Sequence, residues 1–297
     1  MSRLPVSVIV LTLNEEQNLD ACLASVAAWA GEIWVLDSGS TDATLAIARR
    51  YTHKLAAHPF ENYARQRNWA VDTLPLQHAW VFHIDADERA TPELAASIAR
   101  FFPTGAHQSA DGAMFSRRTV FMGRPILHGG HYPVFHLRLL RHARGRCEDR
   151  LYDQHFLVDG PSVRLQGDLI DVIASDLLTW TQRHTRWAEL EAREQLAAAD
   201  PARRLVAPSL TGTPIQRRRW LRVSYGRAPL FARAFGYFFL RYILRLGFLD
   251  GVEGLIFHFL QGCWYRFLID ARLYELRRAA SPTALAPSAS AGEPSSR

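Results

Sequence analysis

The sequence predicts an α/β fold built on a mostly parallel β-sheet, and two observations support this class. Short apolar runs rich in β-branched residues occur at residues 5–12, 32–37 and 81–85, each with the length of a buried strand. Polar loops and helical apolar patterns follow the first two runs. Because strand, loop and helix repeat in that order, we expect parallel strands joined by right-handed crossovers.

The first predicted strand ends in a polar stretch, residues 12–18, and a helix follows it. Apolar residues recur with helical spacing after that stretch, at Leu19, Cys22, Leu23 and Val26. Asn14 or Asn18 is expected to cap this helix, with acidic side chains in its first turn where the helix dipole favours them.

The second and third predicted strands also end in polar side chains. Residues 32–37 lead into a polar turn at 37–42 and a helix with alanine and leucine at 43–48. The third strand, which ends at Asp85, is followed closely by Asp87 and Glu88. Open α/β sheets bind ligands at the edge beyond the carboxyl ends of parallel strands, so we predict a binding site there.

The pair Asp85 and Asp87 indicates a divalent cation. Carboxylates crowded at one point repel one another unless a cation lies between them. Hard oxygen ligands suit Mg²⁺ or Mn²⁺ better than zinc. An ordinary acidic loop is the alternative interpretation of two aspartates at this spacing.

Four strings together resemble one family: V-I-V-L-T-L-N-E-E, V-L-D-S-G-S-T-D, A-R-Q-R-N-W-A and H-I-D-A-D-E. They resemble the inverting family 2 glycosyltransferases of the GT-A fold, in particular the bacterial branch that includes lipopolysaccharide-core β-glucosyltransferases. The similarity is strong over residues 5 to about 100 and traceable to about 175. It implies a Rossmann-like nucleotide-diphospho-sugar transferase fold: a mixed, mostly parallel sheet flanked by helices, followed by C-terminal amphipathic helices.

The resemblance also implies how a nucleotide-sugar donor, UDP- or GDP-linked, is held. The loop with Thr12, Asn14 and Glu15 would contact the nucleoside, and Asp37 would accept a hydrogen bond from the base. Asp37 has an alternative role as a cap for the backbone amides of its own loop.

The same resemblance assigns the diphosphate end of the donor. Arg67 could meet a phosphate, although an exposed helical arginine is the alternative. Asp85 and Asp87 would hold Mg²⁺ or Mn²⁺ on the donor, and Asp85 would also contact the donor itself. The cation then neutralises charge that develops on the leaving nucleoside diphosphate.

The catalytic base is less clearly marked. An inverting displacement needs a carboxylate that takes the proton of the attacking hydroxyl. Relatives often carry His-Glu before a Val-Asp-Gly turn, whereas this chain has Asp153-Gln154, and glutamine cannot accept a proton at neutral pH. Asp153 is therefore narrowly favoured, ahead of Glu148 and Asp149. The alternative is that Glu148 and Asp149 pair with the arginines beside them.

The middle of the chain offers weaker signals for the acceptor. His131, Tyr132 and Arg138 could contribute to an acceptor site, since aromatic faces suit sugar rings. Glu148 and these residues fall in the same half of the predicted domain.

The C-terminal region is basic and aromatic. Residues 201–280 contain fourteen arginines and four acidic residues, together with many aromatic side chains. With no nucleic-acid motif, this composition favours an anionic membrane surface as partner and predicts no nucleic acid. The apolar runs are too short or too charged to span a bilayer. A purely structural helical subdomain is the alternative. Asp250 and Glu253 are expected to hold the turn at residues 247–254 by capping and salt bridges.

We therefore predict a GT-A domain at 1–200, with a donor half at about 1–100 and an acceptor half at about 101–200. A basic, aromatic membrane-surface segment follows at 201–280, and then a disordered Ser, Ala and Pro-rich tail at 281–297. Three widely spaced cysteines suit a reducing compartment, and no signal-peptide pattern is present at the start of the sequence.

The predicted function is sugar transfer to a glycolipid or glycan acceptor, of lipopolysaccharide or exopolysaccharide type, at the cytoplasmic face of the cell membrane. One alternative is a polyprenyl-phosphate sugar synthase, in which a lipid phosphate attacks and no base is needed. The other is a non-catalytic, nucleotide-binding membrane scaffold.

Overall fold

The computed structural model describes residues 3–148, 154–197, 209–212 and 214–280. The strands are Val6–Thr12 (β1), Glu32–Asp37 (β2), Leu55–Ala57 (β3), Trp80–Asp85 (β4), Glu88–Ala90 (β5), Gly112–Phe121 (β6), Arg124–Pro125 (β7), Val134–Arg141 (β8), Gly145–Cys147 (β9), Phe156–Val158 (β10) and Ser162–Ile173 (β11). The helices are Leu19–Ala27 (α1), Thr44–Ala48 (α2), Tyr63–Thr73 (α3), Pro92–Phe101 (α4), Leu177–Ala197 (α5), Pro214–Arg227 (α6), Ala232–Phe239 (α7), Gly251–Phe259 (α8) and Tyr265–Ala279 (α9). The predicted tail at 281–297 lies outside the described residues.

One mixed sheet organises the domain, with strand order β3-β2-β1-β4-β8-β6-β11-β5 and β7 paired to β6. The strands β3, β2, β1 and β4 are mutually parallel, β8 is antiparallel to β4 and β6, and β11 is parallel to β6. This is the GT-A arrangement expected from the sequence, and the fold prediction is confirmed.

The strand register brings the predicted polar ends together. Thr12 lies opposite Asp37, and Leu11 lies opposite Asp85. The ends of β2, β1 and β4 therefore form one continuous edge, as predicted for parallel strands.

The core explains why these segments became strands and helices. Both faces of β1 are buried, which accounts for its continuous apolar run. The face that packs on α1 and α4 includes Val8, Phe82 and Phe115, and the opposite face packs on α3 through Ile9 and Val81.

The predicted cap of α1 is wrong, although all four apolar residues predicted for this helix are buried. Asn18 occupies the N-cap position without a capping hydrogen bond, and its side-chain amide donates to Glu15 Oε2 at 2.8 Å. Asn14 instead has a positive φ of 55° in the preceding loop. Both asparagines therefore shape the loop at the sheet edge rather than the helix.

The C-terminal helices pack on the sheet domain and on α5. From Gly251 to Ala279 the chain is helical throughout, because a π-helical turn at Leu260–Trp264 joins α8 to α9. Ala188 and Ala192 of α5 pack on the face of α9 that carries Ile269. Among the described residues, none of the helices is both long and apolar enough to cross a membrane.

Candidate donor and cation site

Two loops at the sheet edge are tied together by side-chain hydrogen bonds. The Thr12 hydroxyl donates to Asp37 Oδ1 at 3.1 Å, and Asn14 Oδ1 accepts from the Thr41 amide at 2.8 Å. The Glu15 amide donates to Thr44 Oγ1 at 2.8 Å. The loop predicted to contact the nucleoside is therefore built jointly by the ends of β1 and β2.

Asp37 is the cap of its own loop, the role that was the alternative for this residue. Its Oδ2 accepts the amides of Gly39 at 3.0 Å and Ser40 at 2.9 Å, and its Oδ1 accepts the hydroxyls of Thr12 and Ser40. Gly39 has a φ of 101°, which glycine adopts without strain. The carboxylate thus sets the loop shape, and its contact with a base stays a prediction.

Asp85 lies between two buried arginines. Arg67 Nη2 contacts Asp85 Oδ1 at 2.8 Å and Oδ2 at 3.0 Å, and Arg138 Nη2 contacts Oδ2 at 3.0 Å. Both arginine side chains are 8% exposed, so Arg67 is not the exposed helical arginine of the alternative interpretation. Although burial opposes ionisation, the two positive charges hold the pKa of Asp85 well below its usual range.

Arg138 has a different role from the acceptor contact expected of it. Its guanidinium pairs with Glu88 Oε1 at 2.9 Å as well as with Asp85, deep at the end of β4. The reason is positional, since β8 lies directly beside β4 in the sheet. Burial raises the pKa of Glu88 to about 7, with Arg138 opposing that shift.

Asp87 lies in an anionic environment. Burial, followed by the negative charges of Asp171, Asp85 and Glu88, raises the pKa of Asp87 well above its ordinary value. No cationic side chain among the described residues forms a salt bridge with Asp87. The two aspartates of the D-x-D pair therefore differ: Asp85 is neutralised by arginines, and Asp87 is not.

A divalent cation fits this arrangement with substrate oxygens completing its coordination. Over the described ranges, no three carboxylate, imidazole or thiol groups converge as a ready metal-binding set. Mg²⁺ in proteins is commonly held by one or two carboxylates together with substrate phosphates and water. Asp87 fits as the protein ligand, because a cation there would offset the repulsion from its acidic neighbours.

Asp171 is the residue that sequence reasoning missed. It comes from β11, and the backbone of that strand meets the D-x-D turn where the Val172 amide donates to Asp87 O at 3.0 Å. Its Oδ2 accepts from the Thr119 hydroxyl at 3.2 Å. The only sequence signal was an aspartate in an apolar run, Asp-Leu-Ile-Asp, which does not reveal that β11 reaches this edge.

Among the candidate bases, only Glu148 can be placed, since Asp149 and Asp153 lie outside the described residues. Glu148 comes directly after β9, within the hairpin that joins β9 to β10, and is buried, with His155 Nδ1 at 3.8 Å from its Oε2. The neighbouring Arg146 pairs with Asp72 on the surface. Glu148 is therefore buried, and Asp149 and Arg150, which also belong to the charge cluster of the alternative interpretation, lie outside the described residues.

The hairpin of β9 and β10, which contains Glu148, is fixed to α3. The Asn68 side-chain amide donates to Cys147 O and accepts from Cys147 N, both at 2.9 Å. The Arg67 guanidinium lies 5.4 Å from the centre of the Phe156 ring. One helix, α3, therefore holds both Asp85 and the strand that leads to Glu148.

The acceptor-side candidates flank the acidic cluster. His131 Nε2 is 2.9 Å from Thr119 Oγ1, and the Tyr132 hydroxyl donates to Asp168 Oδ1 at 3.1 Å. Both residues belong to one loop between β7 and β8, and they contact β6 and β11, which also carry Thr119 and Asp171.

This sheet, with an anionic cluster at the carboxyl edge of its parallel strands, defines a GT-A domain of the nucleotide-diphospho-sugar transferase class. Residues 7–150 match the model of glycosyl transferase family 2. This match covers just under half of the chain, and it confirms the resemblance to this family that was stated from the sequence.

Curated relatives agree with this assignment. The chain is 31% identical over 151 residues to the lipopolysaccharide core biosynthesis glycosyltransferase LpsC of Rhizobium meliloti, covering 49% of this chain and 54% of LpsC. It is 34% identical over 97 residues to an uncharacterized glycosyltransferase of Rickettsia bellii, covering 33% and 32% of the two chains. The chain thus spans about half of LpsC and a third of the Rickettsia protein.

Solved structures give distant matches. S. aureus TarS superposes with a TM-score of 0.33 at 25% identity, over 39% of this chain and 22% of TarS. A shorter form, TarS 1-349, gives a TM-score of 0.41 at 16% identity and covers 93% and 92% of the two chains. Glucosyl-3-phosphoglycerate synthase from Mycobacterium tuberculosis, in complex with Mg²⁺ and UDP, gives 0.32 at 20% identity over 38% and 43%.

Proposed function

We propose that this protein is an inverting glycosyltransferase that moves a sugar from a UDP- or GDP-linked donor to a lipid-linked or lipopolysaccharide or exopolysaccharide glycan. The observation that carries the proposal is Asp87 itself, a carboxyl group that lies just beyond β4 at the carboxyl edge of the parallel strands and forms no salt bridge among the described residues, in the region that matches the family 2 model. Such a group is costly in a folded protein unless a cation and an anionic ligand complete the site.

Different residues at the carboxyl edge of the sheet would bind different parts of the donor. Thr12, Asn14 and Glu15, with Asp37 shaping the loop, would enclose the nucleoside. Asp87 would hold Mg²⁺ or Mn²⁺, and the cation supplies charge stabilisation to the leaving nucleoside diphosphate when bound. Asp85 would fix Arg67 at the site, leaving Asp87 as the better of the two cation ligands.

The acceptor hydroxyl must lose a proton as it attacks the sugar. We place this base on the segment from Glu148 to Asp153, with Asp153, Glu148 and Asp149 as candidates. Glu148 is supported by its burial and by the clamp of Asn68 on its strand.

A transfer assay tests the proposal. The purified protein is incubated with labelled UDP-sugars and GDP-sugars, Mn²⁺ and a glycolipid fraction from the source bacterium. We expect the label to appear in glycolipid with wild-type protein and to be lost in Asp87→Asn, with Asp20→Asn, an exposed surface variant, as the matched control. Label transferred only to polyprenyl phosphate would favour the synthase alternative. Folded protein that transfers no label with any donor would refute the proposal.

We further propose that the acceptor is met at an anionic membrane surface. Exposed apolar side chains cluster on the C-terminal helices and the turn between α7 and α8: Phe235, Phe239, Ile243, Leu244, Leu246, Phe248, Leu249, Val252, Leu255 and Phe259. Arg241 and Arg245 lie within this stretch. Large apolar side chains beside arginines are what an interfacial helix presents to lipid headgroups and acyl chains.

Vesicle binding tests the membrane contact. Wild-type protein should sediment with vesicles of phosphatidylglycerol and phosphatidylcholine, and more weakly with phosphatidylcholine alone. The triple variant Leu246→Gln, Leu249→Gln and Val252→Gln should lose this binding. Leu178→Gln is the control, because Leu178 is as exposed as Val252 but lies on α5. Equal sedimentation of wild type and the triple variant would contradict the contact.

A further inference from the structure

Asp250 joins two parts of the chain that are far apart in sequence. Its carboxylate accepts the backbone amides of Leu127 at 3.2 Å and His128 at 2.9 Å, and it lies 2.6 Å from His128 Nδ1. The side chain of Asp250 is 3% exposed. A buried carboxylate with three donors is a strong, directional link.

This link corrects the expectation that Asp250 holds its own turn. Asp250 occupies the N-cap position of α8 but makes no capping hydrogen bond there. Glu253, the other acid of the turn, lies 3.7 Å from Arg124 on the surface. The Asp250 carboxylate therefore binds a different segment, the loop between β7 and β8 at residues 126–133.

The same loop, residues 126–133, also packs against the C-terminal helices. The Gly129 amide donates to Arg245 O at 2.8 Å. Gly129 has a φ of 67°, and a Cβ at this position would lie 2.3 Å from the His258 ring. The ring of Phe257 packs edge-on against His131, with centroids 4.9 Å apart. The loop therefore packs closely against α8, and moving it away would break these contacts.

The far side of the loop reaches the candidate site. His131 contacts Thr119, whose hydroxyl donates to Asp171, the carboxylate beside Asp87. Tyr132 contacts Asp168 on the same strand as Asp171. The loop thus lies between the C-terminal turn and the acidic cluster.

The outer side of the C-terminal turn is apolar and exposed. Leu246, Phe248, Leu249 and Val252 are between 44% and 68% exposed, although they directly surround the buried Asp250. One short segment therefore presents apolar side chains outward and a carboxylate inward, to the loop at the site.

We propose that Asp250 is a positioning residue that fixes the loop at 126–133, the acceptor side of the site, to the turn that rests on the membrane. A lipid-anchored acceptor would then meet the site at a set height above the bilayer. This inference rests on the proposed function, which supplies the lipid-anchored acceptor. The contact between Asp250 and the loop can be tested without a sugar-transfer assay.

Hydrogen exchange tests the link independently of activity. In Asp250→Ala, amide exchange over residues 126–133 should be faster than in wild type, while exchange in β1 and β4 stays unchanged. Adding phosphatidylglycerol vesicles should slow exchange in this loop in wild type, and less so in Asp250→Ala. Glu253→Gln is the matched control from the same turn and should behave as wild type. His128→Ala, which removes one contact at a half-exposed side chain, should give a smaller change of the same kind and serves if Asp250→Ala does not fold.

Kinetics then test the positioning role. In Asp250→Ala, kcat/KM for an acceptor embedded in vesicles should fall by up to about 100-fold, mainly through a higher KM, because a misplacement of about 1 Å can cost that much. Binding of Mn²⁺ and nucleoside diphosphate, measured by calorimetry, should stay as in wild type. Unchanged loop exchange together with unchanged acceptor KM would overturn the inference. Faster loop exchange in Asp250→Ala, together with a wild-type protein that transfers no sugar, would instead refute only the proposed function.

Discussion

The two aspartates of the D-x-D pair should respond in opposite directions when each is changed to asparagine. Asp85 is held by Arg67 and Arg138, whereas Asp87 is surrounded by other carboxylates. In the absence of cation and nucleotide, Asp87→Asn should therefore stabilise the protein, and Asp85→Asn should destabilise it.

The magnitudes follow from the partners of each side chain. Asp85→Asn leaves buried Arg67 without its carboxylate, and breaking one side of a buried ion pair costs about 3–5 kcal/mol. Asp87→Asn removes the repulsion from Asp171, Asp85 and Glu88, and stabilising substitutions commonly gain about 0.5–2 kcal/mol. The expected difference between the two variants is thus several kcal/mol.

Urea unfolding at pH 8 in the presence of a chelator measures both effects. Trp29 and Trp80 lie in the sheet core and report its unfolding by fluorescence. Asp20→Asn alters only exposed contacts, with Arg50 and with the Tyr51 hydroxyl, and should change the free energy of unfolding by less than about 0.5 kcal/mol. Equal destabilisation by Asp85→Asn and Asp87→Asn would refute the assignment of different roles to the two aspartates.

Three further predictions concern the hairpin of β9 and β10 and the loop at residues 126–133. Asn68→Ala should lower the free energy of unfolding, measured in urea, by about 1–3 kcal/mol, because the backbone N–H and C=O of Cys147 both lose their hydrogen-bond partner. An unchanged free energy of unfolding would contradict the role of Asn68 as a clamp. If Glu148 is the base, Glu148→Gln should lower kcat by about 10²- to 10⁴-fold with unchanged binding of Mn²⁺ and nucleotide by calorimetry; normal kcat would pass the role to Asp153 or Asp149. Burial and nearby arginines lower the pKa of His131 to about 3, so its folded form stays neutral while the unfolded form gains a proton below about pH 6.5. Wild type should therefore lose stability relative to His131→Gln as pH falls, by about 1.4 kcal/mol per unit between pH 6.5 and 3, and a constant difference across this range would contradict the assignment.

Periodicity and strand ends were enough to predict the fold of the N-terminal strands and the edge at which β1, β2 and β4 end. The apolar run of β1 and the polar residues after β1, β2 and β4 are local features, and parallel pairing places their ends at one edge for general geometric reasons. The family strings come from these same segments, which is why fold and family were both predictable.

The contacts that distinguish Asp85 from Asp87 were not predictable. They come from β8 and β11, and no local sequence pattern indicates where these strands lie in the sheet. Arg138 reaches Asp85 only because β8 inserts beside β4, and Asp171 reaches Asp87 only through the position of β11. Asp250 was identified with its turn, but its partners lie over a hundred residues earlier. Such long-range pairings depend on tertiary packing rather than on residue spacing.

Calorimetric titration of UDP and GDP, each with and without Mn²⁺, tests the central claim most directly. The account predicts that wild-type protein binds one of these nucleotides only when Mn²⁺ is present, and that Asp87→Asn, although folded, does not. Binding that is equally tight in Asp87→Asn, or no binding of either nucleotide by folded wild-type protein, would contradict a cation-dependent donor site at this edge of the sheet.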